Sequence, residues 1–462
     1  MKTFDMYIKN CRLITPEGLI HGSLGIKDGK ILEIMTGEDR FLSSEEVIDA
    51  ENRFVIPGLI DSHVHFRTPG LSHKEDWLHG SKAAIAGGIT TVIDMPNTDP
   101  YTSTMKSLNE KIEMISGKSY VDFGFHFGVK PGHLEDLIEL EAGSVASLKI
   151  FLTGHHTAKN VITSASELEE IFYIAQRKGL QLTFHAEDQV ELERSKLNKK
   201  EPKSLVEYEK YLSRSASIIA VEKIINLSKK YGVKSHVLHV STQEEVKLLS
   251  EARNENIPVT FETTPHQLHF NCAEHNHLGT RAKLSPAIRT ADDQNMLWDA
   301  LIHGSLTSVG SDHAPHTTTE KSLDFAEAPP GLPGVQEMFP VIYSDMKKRY
   351  PQKTVEQLLG SIVKVLSTGP AELFGISRKG AIRQGYDADL VIIETDVKHV
   401  FEREAIQSLC GWSAYENEVF DVEVISTISK GKIVYTHGTY SNDMNGEYLA
   451  FQNDYDNAAV KH

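Results

Sequence analysis

Apolar positions change their period twice along the chain. Over residues 4–50 they form short runs: Met6-Tyr-Ile8, Arg12-Leu-Ile-Thr15, Ser23-Leu-Gly-Ile-Lys27 and Lys30-Ile-Leu-Glu-Ile34. Gly, Pro and Asp turn signals such as Asp28-Gly29 separate them, which is the texture of short strands. The same texture returns in Ala388-Asp-Leu-Val-Ile-Ile393 and Val424-Ile-Ser-Thr-Ile-Ser-Lys-Gly-Lys-Ile-Val-Tyr435, with Gly380, Gly385 and Gly431 at turns. The middle differs. Continuous apolar, β-rich runs occur at Leu59–His63, Thr90–Met95, Phe123–Gly128, Ser147–Leu152, Leu182–His185, His236–His239, Val259–Glu262 and Ser308–Asp312. Helical patterns lie between most of them, including Thr104–Ser116, Ser166–Arg177, Ser217–Lys230 and Gln243–Arg253.

Eight strands alternating with helices predict an α/β fold, a parallel (β/α)8 TIM barrel over residues 57–379. The two β-rich ends, 1–56 and 380–440, are expected to pair into one small composite β-sandwich domain. The charged stretch 187–214 is too long for a simple connection and reads as a helical excursion. Residues 441–462 are polar and read as a loosely docked tail.

Composition narrows the class. At 40% apolar and 24% charged residues over 462 positions, the chain reads as a soluble globular protein. A net charge of −16 disfavours nucleic acid and anionic membranes as partners. A small-molecule substrate is left, and an anionic one is not excluded, because a local Arg or a metal can dominate a pocket. Cys11, Cys272 and Cys410 are far apart and show no Cys-x-x-Cys spacing, as expected of a cytoplasmic protein. The N-terminus has no apolar stretch of signal-peptide length, and no window approaches the roughly 18 apolar residues of a membrane span.

In a barrel of this kind the reactive groups sit at the C-terminal ends of the strands. His63 and His65 fall there after the first strand, on one face because strand side chains alternate. Lys149 lies within the fourth, His185 ends the fifth, His239 the sixth and Asp312 the eighth. Each has an ordinary reading: a strand-end His satisfied by a neighbour, an Asp capping the next helix, a Lys that snorkels to water. Together they have the composition of a two-metal hydrolytic site. Burial would drive Lys149 toward a neutral amine. A neutral amine can take up carbon dioxide as a carbamate, an anionic two-oxygen bridge between metals.

The chain resembles the amidohydrolase superfamily of cyclic amide hydrolases, and within it the dihydroorotases. The resemblance rests on Pro57-Gly-Leu-Ile-Asp-Ser-His-Val-His-Phe-Arg67, Asp94-Met-Pro-Asn-Thr98, Lys149, His185-Ala-Glu187, His239-Val-Ser-Thr242, Glu262-Thr-Thr-Pro-His266, Ser311-Asp-His-Ala-Pro-His316 and Gly385-Tyr-Asp-Ala-Asp-Leu390. It implies two zinc ions. His63, His65 and Asp312 would hold one, His185 and His239 the other, and carboxylated Lys149 would bridge them. Asp312 would also be the catalytic acid and base. Arg67, Asn97 and His316 would bind the substrate carboxylate, with Ser285 near the ring. A homodimer is the family expectation.

Thr68, Ser285 and the loop Thr153-Gly-His-His-Thr157 depart from the pattern. Ser408-Leu-Cys-Gly-Trp-Ser413 resembles one branch of bacterial dihydroorotases. Allantoinase and dihydropyrimidinase or hydantoinase share the metal framework and are the rival activities. Arg67 and Met95-Pro-Asn-Thr98 favour dihydroorotase, and Phe151–Val161 lacks the Tyr typical of dihydropyrimidinases. A catalytically silent scaffold is the rival of another class, but every ligand position is filled.

Overall fold

Eight parallel strands run in sequence order around the centre of the computed structural model, which describes residues 3–37, 43–141, 143–154, 156–197 and 199–452. They are Leu59–Val64, Ile89–Asp94, Asp122–Gly128, Ser147–Phe151, Leu182–His185, Ser235–Val237, Val259–Thr263 and Ser308–Val309. Each pairs with the next. A bridge between Val64 and His313, with His65 N donating to His313 O at 2.9 Å, brings the last strand back to the first. Every residue of Asp122–Gly128 is buried. A parallel strand covered on both faces reads as a continuous apolar run, which is the pattern seen in the sequence.

Two strands end two or more residues earlier than the sequence predicts. Pairing stops at Val237 and Val309, not at His239 and Asp312. His239 and Asp312 have left-handed backbones (φ 37° and 46°), as does Arg67 at 56°. A non-glycine residue in that region leaves the ladder at a cost of order 1–3 kcal/mol, a strain that clusters at functional sites.

The helices form where their caps dictate. Thr104 caps Met105–Ile115, Ser164 caps Ala165–Lys178, and Thr242 with Glu245 closes a capping box on Gln243–Asn254. Gly179 and Gly232, both left-handed, end Ala165–Lys178 and Arg214–Tyr231. The excursion is helical: Gln189–Lys196 and Leu205–Tyr211 precede Arg214–Tyr231. Buried Arg289 pins it by donating to Leu212 O at 2.8 Å. Among the described residues no helix is long and apolar enough to cross a membrane.

Both chain ends enter one nine-stranded sheet. Leu390–Glu394 lies between Phe54–Pro57 and Glu423–Ser429, antiparallel to both. Met6, Ile8, Leu24, Leu390 and Ile392 pack in its own core.

The C-terminal segment is not loosely docked as far as it is described. Phe123 N donates to Glu447 O at 2.9 Å, and Leu449 N to Phe123 O at 2.8 Å. Tyr448 stacks on Phe125, and Phe451 sits where a Cβ on Gly124 would stand 2.3 Å from its ring. Residues 453–462 lie outside the described residues. Phe451→Ala should lower unfolding stability by about 3 kcal/mol, measured by denaturant titration; an unchanged midpoint would show that the segment contributes nothing.

Candidate metal centre

The C-terminal ends of the strands surround a cavity of about 440 Å³, counting its open mouth, whose walls include His63, His65, Lys149, His185, His239 and Asp312. His63 Nε2 and His65 Nε2 each lie 3.2 Å from Asp312 Oδ1. The ligand atoms of these three residues all fall within 4.8 Å of one another. The rings of His185 and His239 are 4.5 Å apart, centroid to centroid, and His63 is 5.4 Å from His239.

A second layer fixes these rings. His63 Nδ1 donates to Glu262 Oε1 at 2.7 Å, and Glu262 Oε2 is 3.3 Å from His236 Nε2. His65 Nδ1 donates to Asn97 Oδ1 at 2.8 Å, and His185 Nε2 to Glu187 Oε2 at 3.0 Å. Burial alone would raise the Glu262 carboxyl, but hydrogen bonds from His236 and His63 hold it at about 2. Such partners set the tautomer and orientation of a metal-ligating imidazole. The role of Glu262 was not legible in the sequence, although a carboxylate in an apolar strand is a signal in the same sense as Lys149. Glu262→Gln should weaken divalent-metal affinity by about 10- to 100-fold. Competition with a chromophoric chelator would measure this, and unchanged affinity would remove Glu262 from the site.

The donor set fits divalent metal. His63, His65 and His185 each give one ring nitrogen to a protein acceptor, and His239 Nδ1 is buried with no hydrogen-bond partner among the described residues. Burial lowers Lys149 to about 7 against the pull of Asp312 and Glu262. Burial also opposes the charged form of Asp312, but His63 and His65 hold its carboxyl well below the usual range.

The residues expected to meet substrate divide. Arg67 lines the cavity, is 2% exposed, and leaves its Nε without a hydrogen-bond partner among the described residues. Among the described residues no carboxylate forms an ion pair with it. Burial lowers it to about 10, so it remains a cation. Ser285 also lines the cavity, and its Oγ donates to Glu187 Oε2 at 3.0 Å, which links it to His185. Asn97 holds His65, and its amide donates to Thr157 Oγ1 at 3.1 Å.

His316 is engaged at both nitrogens. Nδ1 lies 3.2 Å from Lys74 Nζ, and Nε2 donates to Pro330 O at 3.1 Å. Lys74 also binds Glu320 Oε1 at 2.6 Å, and neither residue carried a signal in the sequence. Of the unmatched loop after the fourth strand, Thr157 reaches the cavity wall, while His155 lies outside the described residues.

The amidohydrolase family profile matches residues 54–434. A dihydroorotase of Methanosphaera stadtmanae is 34% identical over 438 residues, which is 93% of this chain and 96% of the relative. An allantoinase of Streptomyces avermitilis is 30% identical over 451 residues, 96% of this chain and 98% of the relative. Among solved structures, an L-hydantoinase (dihydropyrimidinase) from Arthrobacter aurescens aligns with a TM-score of 0.91 at 28% identity, covering 97% of this chain and 100% of that one. A profile match over most of the length, with relatives this similar across nearly whole chains, leaves one conclusion: the chain belongs to the amidohydrolase family.

Proposed function

We propose that the chain is a dihydroorotase, reversibly hydrolysing the ring amide of dihydroorotate to N-carbamoyl-aspartate in pyrimidine biosynthesis. The observation that carries this reading is Arg67. It is a buried cation on the wall of the histidine cavity, with no carboxylate in ion-pair contact among the described residues, although Asp312, Asp94, Glu320 and Glu75 attract it from farther off. A planar guanidinium in that state is matched by a carboxylate from the ligand. Dihydroorotate has one, whereas allantoin and dihydrouracil are neutral.

Two zinc ions are the proposed cofactors. His63, His65 and Asp312 would hold one, His185 and His239 the other, and Lys149 as its carbamate would lie between them. When bound, such ions supply a nucleophile at neutral pH and polarise a carbonyl. The side chains supply the rest. Asp312 accepts the proton released as water adds to the ring carbonyl. It returns that proton to the ring nitrogen as the C–N bond breaks, so the ring opens with one water consumed. Arg67 fixes the carboxylate and thereby the amide, and orientation of this kind can supply several kcal/mol of the barrier.

Zinc-loaded protein incubated with dihydroorotate, allantoin and dihydrouracil, with bicarbonate present, tests the reading by product identification. Formation of N-carbamoyl-aspartate supports it. Ring opening of allantoin or dihydrouracil without any of dihydroorotate would overturn it in favour of the rival activities.

A further inference from the structure

Among the described residues, two lysines beyond the metal-ligand set are buried without a carboxylate in ion-pair contact. Lys283 and Lys321 are each 5% exposed, and among the described residues neither forms an ion pair. Lys283 Nζ donates to Phe325 O at 2.6 Å, Ala326 O at 3.1 Å and Ala328 O at 2.6 Å. Lys321 Nζ donates to Pro329 O and Gly331 O, both at 2.9 Å. Main-chain carbonyls of a single loop, residues 325–331, thus converge on two lysine amines. Aromatic faces complete the enclosure: Tyr208 and Phe325 each lie 5.3 Å from Lys283 Nζ, and Trp412 lies 5.8 Å from Lys321 Nζ. Burial pushes Lys283 down to about 8 and Lys321 to about 7. Buried N–H donors are costly unless satisfied, and here the loop satisfies them: three carbonyls for Lys283 and two for Lys321, which that amine can serve charged or neutral.

The loop has no helix or strand of its own, and its far end faces the cavity. Pro330 and Gly331 line the wall, and Pro330 O receives the His316 hydrogen bond. Gly331 N donates to Lys283 O at 2.9 Å, and the chain continues from Lys283 into Leu284 and Ser285 on the same cavity wall. Gly331 has φ of +130°, and a Cβ there would stand 2.5 Å from Ala314 O, so the backbone sits close against the eighth strand's exit.

We propose that Lys283 and Lys321 are positioning residues whose side-chain amines pin loop 325–331 at the cavity mouth, holding Pro330, Gly331 and, through Pro330, His316 in place for the substrate. The kinetic part of this inference rests on the cyclic-amide hydrolase reading. The structural part does not.

The test uses the metal-loaded full chain with Lys283→Met and Lys321→Met made singly. Amide exchange over 322–331 is expected to quicken by at least about tenfold as the loop opens locally. On the cyclic amides that are turned over, KM is expected to rise about tenfold with kcat within about threefold and metal content unchanged. Unchanged exchange, or faster exchange with unchanged KM, would overturn the proposal. Wild-type protein gives a check that needs no variant. An amine-acylating reagent should spare Lys283 and Lys321 while modifying Lys106, whose side chain is 84% exposed. Modification of both at the rate of Lys106 would overturn the clamp. If wild-type protein opens other cyclic amides but not dihydroorotate, the substrate assignment fails while the exchange and labelling results still decide the clamp.

Discussion

Asp312→Asn should lower kcat on dihydroorotate by at least about 10²-fold, the usual scale of a lost general acid–base group. The amide is the same size as the carboxylate, and its oxygen can still face His63 and His65, each 3.2 Å from Oδ1 in the native chain. It cannot accept and return a proton. Most bound metal should therefore remain while turnover falls. The two readouts separate a chemical role from a structural one, and metal analysis belongs beside the kinetics. Turnover near normal would remove Asp312 from the chemistry. Equal loss of metal and activity would leave it as a ligand only.

Arg67→Met is expected to raise KM for dihydroorotate by roughly 10²-fold while changing a neutral hydantoin by less than about threefold. Charge-assisted hydrogen bonds contribute about 1.5–3 kcal/mol each, and about 2.7 kcal/mol is a factor of 10². The substitution also has an unusual expected effect on stability. Arg67 is buried and lacks an ion-pair partner among the described residues, so an apolar side chain of similar length removes a desolvation cost. The variant should be at least as stable as wild type in thermal unfolding. Equal kinetic losses on both substrates, or marked destabilisation, would make Arg67 a structural residue.

The barrel was legible because strands buried on both faces, such as Asp122–Gly128, leave unbroken apolar runs. The positions of the site residues were legible for related reasons. His63 and His65 share a face by strand alternation, and Lys149 is a charge inside an apolar strand. The ends of the sixth and eighth strands were not legible, because His239 and Asp312 adopt a left-handed backbone without the glycine that would announce it. The second layer was hidden too, since Glu262 reaches His63 from the seventh strand and Asn97 reaches His65 from the loop after the second. The setting of His316, between Lys74 and Pro330, rests on partners that only tertiary structure supplies. The segment 441–452 looked like a tail because its polar residues mask Tyr448, Leu449 and Phe451, which meet the barrel at Phe123, Gly124 and Phe125.

The most direct measurement is the ratio of kcat/KM for dihydroorotate to that for dihydrouracil, on one preparation of zinc-loaded wild-type protein. The two rings differ by the carboxylate that Arg67 is proposed to hold. A ratio above about 10² is expected from that single charge-assisted contact. A ratio near or below unity would contradict the assignment and place the chain with the enzymes of neutral cyclic amides.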